Sequence, residues 1–262
     1  MIQMDFLKNY YPSYLWDNPG HRKYIIKEYV QLLILDYLSA TDLIRKIVFI
    51  GGTNLRLVKG IDRFSEDLDF DCKNLPDDEF MKMTDNVILF LQRFGFRVEP
   101  RDRPNDKLKA FRRNIYFPEL LFQLGLSGYR QERFLIKIES QDQKISYQHK
   151  LATVKGCGLY FKFPVPADAV MCSMKIAALL SRRKGRDFYD VMFLLSQTQP
   201  DYPFLSEKLG INNKDELKRA FEKTLHEIDL SHKAKDFEHL AFDKSNTRRI
   251  LLFKDFVHNI SI

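Results

Sequence analysis

At 262 residues and 31.1 kDa the chain is about 1.7 times a ~150-residue domain, which suits one mixed domain with an appendage or two small domains. Hydrophobic content of 45% and charged content of 29% exclude a disordered or collagen-like chain, and no apolar run approaches the ~18 residues that cross a bilayer. The charge of +7 is compatible with a polyanionic partner such as RNA. The three scattered cysteines give neither a disulfide framework nor a zinc set and suit a reducing cytoplasm. The start, MIQMDFLKNYYPSYLW, has no basic segment followed by an apolar block, so no secretion signal is expected.

In chain order, Ile25, Tyr29, Leu32, Leu33 and Tyr37 recur at helical spacing, which predicts a helix from about Pro19 to Ala40 with one apolar face. KIVFIGG (Lys46 to Gly52) reads as a buried strand that turns tightly on two glycines, with a helix from Thr53 to Lys59 closed by Gly60. DLDFDCK (Asp67 to Lys73) alternates acidic and apolar residues, as a half-buried strand does. Pro76 to Phe94 reads as a helix whose first turn carries Asp77, Asp78 and Glu79. Strands are expected at Phe96 to Pro100, Lys109 to Phe117 and Arg133 to Ser140. Glycine and proline in GCGLYFKFPVP suggest a boundary near residues 150 to 167, and helices dominate from Asp168 onward. The expected class is α+β. Residues 1–160 would form a small mixed sheet flanked by helices, with an N-terminal helix, and residues 161–262 a mainly helical domain.

The segment that carries chemistry is GGTNLR (Gly51 to Arg56) followed by RFSEDLDF (Arg63 to Phe70). Two glycines after a strand let backbone approach a ligand, and unpaired N–H groups at a following helix start suit a phosphate. Ser65, Asp67 and Asp69 fall at i, i+2 and i+4, so a strand puts all three on one face, with the carboxylates about 7 Å apart by strand rise. Two such carboxylates can hold divalent cations of the magnesium type. Taken singly, the glycine turn and the D-x-D pair are ordinary features of turns and edge strands; their combination is much rarer by chance.

GGTNLRLVKGIDRFSEDLDF resembles the nucleotidyltransferase motif of the AbiEii/AbiGii toxin family, within the DNA polymerase β-like superfamily. Lys175-Ile-Ala-Ala-Leu, Arg182 and Arg186-Asp187-Phe-Tyr-Asp190 resemble that family's K-x-x-A-L…R-x-x-x-R-D-x-x-D motif, so the likeness runs from about Lys46 to Leu195. The resemblance implies a polymerase β-like core followed by a helical domain that completes the nucleotide site. It also implies a third carboxylate on a neighbouring strand, which Glu139 in Lys137-Ile138-Glu139 would supply. Glu139 is equally readable as a polar residue on a half-exposed strand; Asp71 shares the face of Asp67 and Asp69 and competes, and Asp142 is a weaker rival.

On this resemblance the metal ligands are Asp67, Asp69 and Glu139, and the catalytic set adds Lys175, Asp187 and Asp190. The nucleotide contacts are Gly51, Gly52, Thr53, Arg63, Ser65, Lys175, Arg182 and Arg186. Lys175, Arg182 and Arg186 form one basic stripe if a single helix runs through Gly185. Asp187 and Asp190 lie three apart, one to orient Lys175 or a substrate group and the other to start a helix, without spacing telling them apart. Basic and aromatic residues interleave at Phe111 to Tyr116 and at Tyr160 to Phe163, readable either as RNA contacts or as core.

The implied function is a cytoplasmic toxin of a toxin–antitoxin system. It would transfer a nucleoside monophosphate from an NTP, with Mg²⁺ or Mn²⁺, to an acceptor such as the tRNA 3′ end, and a separately encoded antitoxin would neutralise it. The rivals are a transferase acting on a protein side chain or an antibiotic-like small molecule, and a non-catalytic RNA-binding module. No membrane partner is expected.

Overall fold

The computed structural model describes residues 2–73, 75–102 and 111–259. The chain forms two compact units. The first comprises Met1–Gly60, Phe64–Lys144 and Leu151–Val165; the second comprises Ile61–Arg63, Ile145–Lys150 and Pro166–Ile262.

The first unit is built on a five-stranded mixed sheet. Its strands are β1 (Ile47–Ile50), β2 (Asp67–Cys72), β3 (Glu99–Pro100), β4 (Phe111–Tyr116) and β5 (Leu135–Gln141), in the order β1-β2-β5-β4-β3. β2 and β5 run parallel, and every other neighbouring pair is antiparallel. Leu68 and Phe70 of β2 are buried, while Asp67 and Asp69 on the other face are half-exposed, as the alternation requires. A hairpin of β6 (His149–Gly156) and β7 (Leu159–Pro166) sends Phe163 to the core, 5.9 Å from the rings of both Phe49 and Phe70.

The Pro19–Ser39 helix departs from the expected single apolar face. Ile25, Ile26, Val30, Leu32, Leu33, Ile34, Leu35 and Leu38 are all buried, as are Glu28 and Gln31, so the helix is wrapped on most sides. Its polar groups are spent internally. The Glu28 carboxylate takes hydrogen bonds from Arg56 (Nε 2.7 Å, Nη2 3.1 Å) and from the Tyr11 hydroxyl (3.0 Å). Gln31 donates to the Ser65 carbonyl at 3.3 Å, Lys27 pairs with Glu66 at 3.1 Å, and Tyr24 stacks on Phe64 at 5.7 Å. This helix is therefore the brace for the stretch that leads into β2.

Two expected strands differ from their forecast. Of Phe96 to Pro100 only Glu99–Pro100 pairs, because the Phe96 N–H closes the end of the Asp77–Arg93 helix on the Leu91 carbonyl (3.0 Å) and Pro100 has no N–H to donate. The strand expected from Lys109 begins at Phe111, Lys109 and Ala110 lying outside the described residues. GCGLYFKFPVP is itself strand: Cys157 (φ +48°) and Gly158 (φ +79°) make a two-residue hairpin turn of the kind that left-handed φ at both positions permits.

The second unit is helical, with Asp168–Arg182, Gly185–Leu195, Tyr202–Leu209 and Lys214–His226 its longest α-helices. Phe188, Phe221 and Phe253 meet edge to face at 5.0 and 5.4 Å. The first helix stops at Arg183, whose φ of +53° is left-handed, and a new one starts at Gly185. A Cβ on Gly185 would sit 1.8 Å from the Lys233 carbonyl oxygen, so only hydrogen fits between these two backbones. Gly185→Ala is expected to destabilise the protein by about 2–4 kcal/mol, an overpacking cost against backbone that cannot rotate away. A urea denaturation midpoint equal to wild type would show that the backbones separate freely.

Candidate active site

The glycine turn and the acidic strand meet directly. β1 ends at Ile50, Gly51 takes φ +82°, and a short helix (Gly51–Leu57) begins at once rather than at Thr53 as expected. A Cβ on Gly51 would lie 2.0 Å from Asp69 Oδ2 and 2.7 Å from Asp69 Cβ and Cγ. The turn backbone is thus packed against the Asp69 side chain, which only a glycine in this conformation allows. Thr53 is buried and its hydroxyl donates to the Asp67 carbonyl oxygen, while Asn54 Nδ2 donates to the Phe49 carbonyl at 2.7 Å. These two bonds tie the turn to β1 on one side and β2 on the other. The Thr53 hydroxyl proton, expected to meet a phosphate, is engaged within the fold. Gly52 follows in the same turn, half-exposed.

Parallel pairing of β2 with β5 sets Asp67 opposite Lys137 and Asp69 opposite Glu139. Cross-strand partners share a face about 4.8 Å apart, so Asp67, Asp69 and Glu139 occupy one face of the sheet. Lys137 Nζ lies 3.2 Å from Asp67 Oδ2 and 3.8 Å from Glu139 Oε1, and Arg112 Nε donates to Glu139 Oε1 at 2.5 Å. Among the described residues no three His, Cys, Asp or Glu side chains are close enough to form a metal cluster as they stand. The donor chemistry nonetheless suits a hard cation. Magnesium needs only one or two protein carboxylates alongside substrate phosphates, and this face already gathers an ammonium between two of its acids.

Asp71 is not in that set: it is buried and its carboxylate accepts the Gln143 N–H at 2.9 Å, which pins the segment after β5. Asp142 accepts the Lys144 N–H at 2.7 Å. Ser65 is 7% exposed, its carbonyl bonded to Gln31 and its hydroxyl without a hydrogen-bond partner among the described residues.

In the second unit the remaining predicted residues separate into two pairs. Arg63 is 1% exposed and holds Asp190 bidentately, Nε and Nη2 each at 2.7 Å; Lys175 Nζ donates to Asp190 Oδ2 at 2.9 Å. Two basic side chains thus share one buried carboxylate. Burial works against ionisation of Asp190, but the charges of Arg63 and Lys175 prevail and hold its carboxyl below the usual range. Burial pulls the Lys175 ammonium below its ordinary value, Asp190 opposing this and the neighbouring Arg63 adding to it. Asp187, fully buried, instead caps the Gly185–Leu195 helix by accepting the Lys184 N–H (3.1 Å), and takes Arg182 Nη2 at 2.8 Å. Geometry thus distinguishes the two acids where spacing did not.

Arg186 lies on the second helix and Lys175 and Arg182 on the first, so the continuous stripe is broken by the turn at Arg183. Arg113, within a segment readable as an RNA contact, is buried against Asp102 (2.8 Å), Asp85 and Thr84 (3.0 Å); Phe161 and Phe163 are core, and Tyr160 faces outward. Lys137 and Arg112 escaped the sequence reading. The signal available was their alternation with Glu139 and Asn114, which became meaningful only once strand register was known.

The profile of the nucleotidyl transferase AbiEii toxin family, a type IV toxin–antitoxin system, matches residues 33–256. Among solved structures, MenT4, a nucleotidyltransferase toxin from Mycobacterium tuberculosis H37Rv, superposes with a TM-score of 0.62 at 16% identity, covering 100% of this chain and 91% of that one. JHP933 from Helicobacter pylori gives 0.55 at 19% identity, covering 90% of each chain. At such identities the likeness is one of fold. No curated protein matches the chain by sequence.

Two outcomes follow from these contacts. Gly51→Ala is expected to cost about 1–3 kcal/mol through left-handed strain and displacement of Asp69, read as a lowered urea midpoint. Asp190→Asn leaves Arg63 and Lys175 around a neutral amide and is expected to cost about 3–5 kcal/mol. Because the folded-state pKa of Asp190 is depressed, its contribution is complete above the unfolded value of about 4 and disappears as pH falls through the folded one. Wild type should therefore lose stability in acid more steeply than Asp190→Asn; parallel melting curves from pH 7 to pH 2 would contradict this.

Proposed function

The chain belongs to the AbiEii family of nucleotidyltransferase toxins of type IV toxin–antitoxin systems, and we propose that it moves a nucleoside monophosphate from an NTP onto the 3′ hydroxyl of a tRNA, with a magnesium or manganese ion held by Asp67 and Asp69. The observation that carries this reading is the contact of Asp69 with the Gly51 turn on one side and its register pairing with Glu139 on the other. A phosphate placed against the backbone N–H groups of Gly51 and Gly52 would lie beside the carboxylates. Ser65, largely buried, would flank it, with a hydroxyl available to donate.

When bound, a divalent ion in such a site lowers the acceptor hydroxyl's pKa and offsets charge building on the phosphate oxygens. The acceptor hydroxyl would give up its proton to solvent as its oxygen bonds to the α-phosphorus; the bond from that phosphorus to the bridging oxygen of the β-phosphate would break, and pyrophosphate would leave with that electron pair. Asp67 and Asp69 would hold the cation, and Glu139 would join them on exchanging its Arg112 contact. Lys175 is kept as a phosphate contact on the family resemblance alone, and within the second unit Arg63 and Asp190 act as its positioning residues. Asp187 with Arg182 holds the helix start on which Asp190 stands. A cognate antitoxin is the partner that family membership implies, and among the described residues no helix is long and apolar enough to cross a membrane.

Incubation with α-labelled NTPs, Mg²⁺, unfractionated tRNA and total protein should put label on the tRNA 3′ end and not on protein. Asp69→Ala should reduce that transfer by about 10²–10³-fold or more while changing the melting temperature by no more than about 4 °C, since Asp69 is a half-exposed side chain outside the apolar core. Label on protein would redirect the acceptor assignment, and wild-type transfer by the variant would remove Asp69 from the mechanism.

A further inference from the structure

Within the first unit, a cleft of about 550 Å³ is lined by Arg97, Arg101, Arg130 and Arg133 together with Tyr116 and Glu99. Four guanidiniums in one concavity oppose one another unless an anion is present, and the acids nearby do not cancel them. Glu119 approaches Arg130 only at 3.9 Å, and Arg97, Arg101 and Arg133 have no carboxylate partner among the described residues. Arg101 Cζ lies over the Tyr116 ring, 4.7 Å from its centroid, a contact that favours this position without neutralising the charge. Guanidiniums that are exposed, pre-oriented and unpaired are suited to phosphate oxygens.

Sheet register relates this cleft to the carboxylates. Glu139 faces Arg112 across β4, Tyr116 faces Leu135, and Glu99 faces Tyr116 across β3. Residues 112, 114 and 116 alternate onto one face, so Tyr116 and Glu99 lie on the face that carries Asp69 and Glu139. The four steps from Arg112 to Tyr116 span about 13 Å along the strand. The surface running from the acids toward the arginines therefore has the length of a short nucleic-acid segment.

We infer that this cleft binds the phosphodiester backbone of a single-stranded nucleic acid whose end reaches the carboxylates. The inference rests on the transferase reading for what that strand is used for, not for its binding. The contacts are to backbone phosphate, so affinity is expected to be tolerant of sequence and sensitive to salt.

The test is fluorescence anisotropy with labelled polyuridylate and labelled unfractionated tRNA, using Arg97→Glu/Arg101→Glu/Arg133→Glu in the full chain. Affinity should fall at least about tenfold, and the slope of log K against log salt should flatten by about 2, three contacts at ~0.7 each. Because Arg101 packs on Tyr116, Arg97→Glu/Arg133→Glu repeats the test with that packing intact and should lose affinity in the same direction. Unchanged affinity and slope in both variants would overturn the cleft. So would a loss confined to polyglutamate, which would mark a protein-binding surface instead. If wild type binds RNA through these arginines yet labels none of it, the cleft stands and the transfer reading falls. If transfer proceeds and the variants bind and label RNA like wild type, the reverse holds.

Discussion

The absence of a side chain at Gly51 is the constraint on which the site depends. A single added carbon would lie 2.0 Å from an Asp69 oxygen, far inside van der Waals contact, so the turn can approach the acid this closely only without a side chain at position 51. The chain enforces this approach from both ends. The Thr53 hydroxyl clasps the Asp67 carbonyl, Asn54 closes onto Phe49, and the long Pro19–Ser39 helix props Ser65 through Gln31. The backbone donors and the half-exposed carboxylates are therefore positioned by buried neighbours, with little freedom left for either to drift.

Charge in this protein divides by burial. Asp71, Asp187, Asp190, Arg63 and Arg113 are buried, and each satisfies a specific partner: a backbone N–H, a helix start or an opposite ion. Such groups cost desolvation and are retained only where every hydrogen bond is made. Asp67, Asp69 and Glu139 sit at intermediate exposure, crowded on one sheet face, where their mutual repulsion is offset by the mobile cations of Lys137 and Arg112. A side-chain ammonium or guanidinium is an exchangeable counter-ion, which is the basis for proposing this cluster, and not the buried pairs, as the cation site.

The arginine cleft follows the same rule with opposite sign. Its four guanidiniums outnumber the two acids, Glu99 and Glu119, that line it with them, and the sheet beside it also presents the carboxylates. An acidic cluster would repel a polyanion if it stood alone. A basic surface at the edge of the same sheet gives a strand of phosphates a favourable track to it, and net charge alone says nothing of this arrangement.

Local order was legible in the amino-acid sequence: the β1 strand ending in two glycines, the acidic alternation of β2, the helix after Pro76 and the helices after Asp168 all follow from short-range patterns. So was the motif Gly51-Gly52 with Ser65, Asp67 and Asp69, because period-two spacing alone puts the acids on one face. Which acid does what was decided by tertiary contacts. Glu139 became Asp69's neighbour through parallel pairing of strands about seventy residues apart in the chain, Asp190 rather than Asp187 took Lys175, and GCGLYFKFPVP, within which the chain passes from the first unit to the second, folded as part of a hairpin. Strand register and helix breaks depend on long-range packing and on single left-handed residues such as Arg183 and Cys157, and residue spacing carries neither.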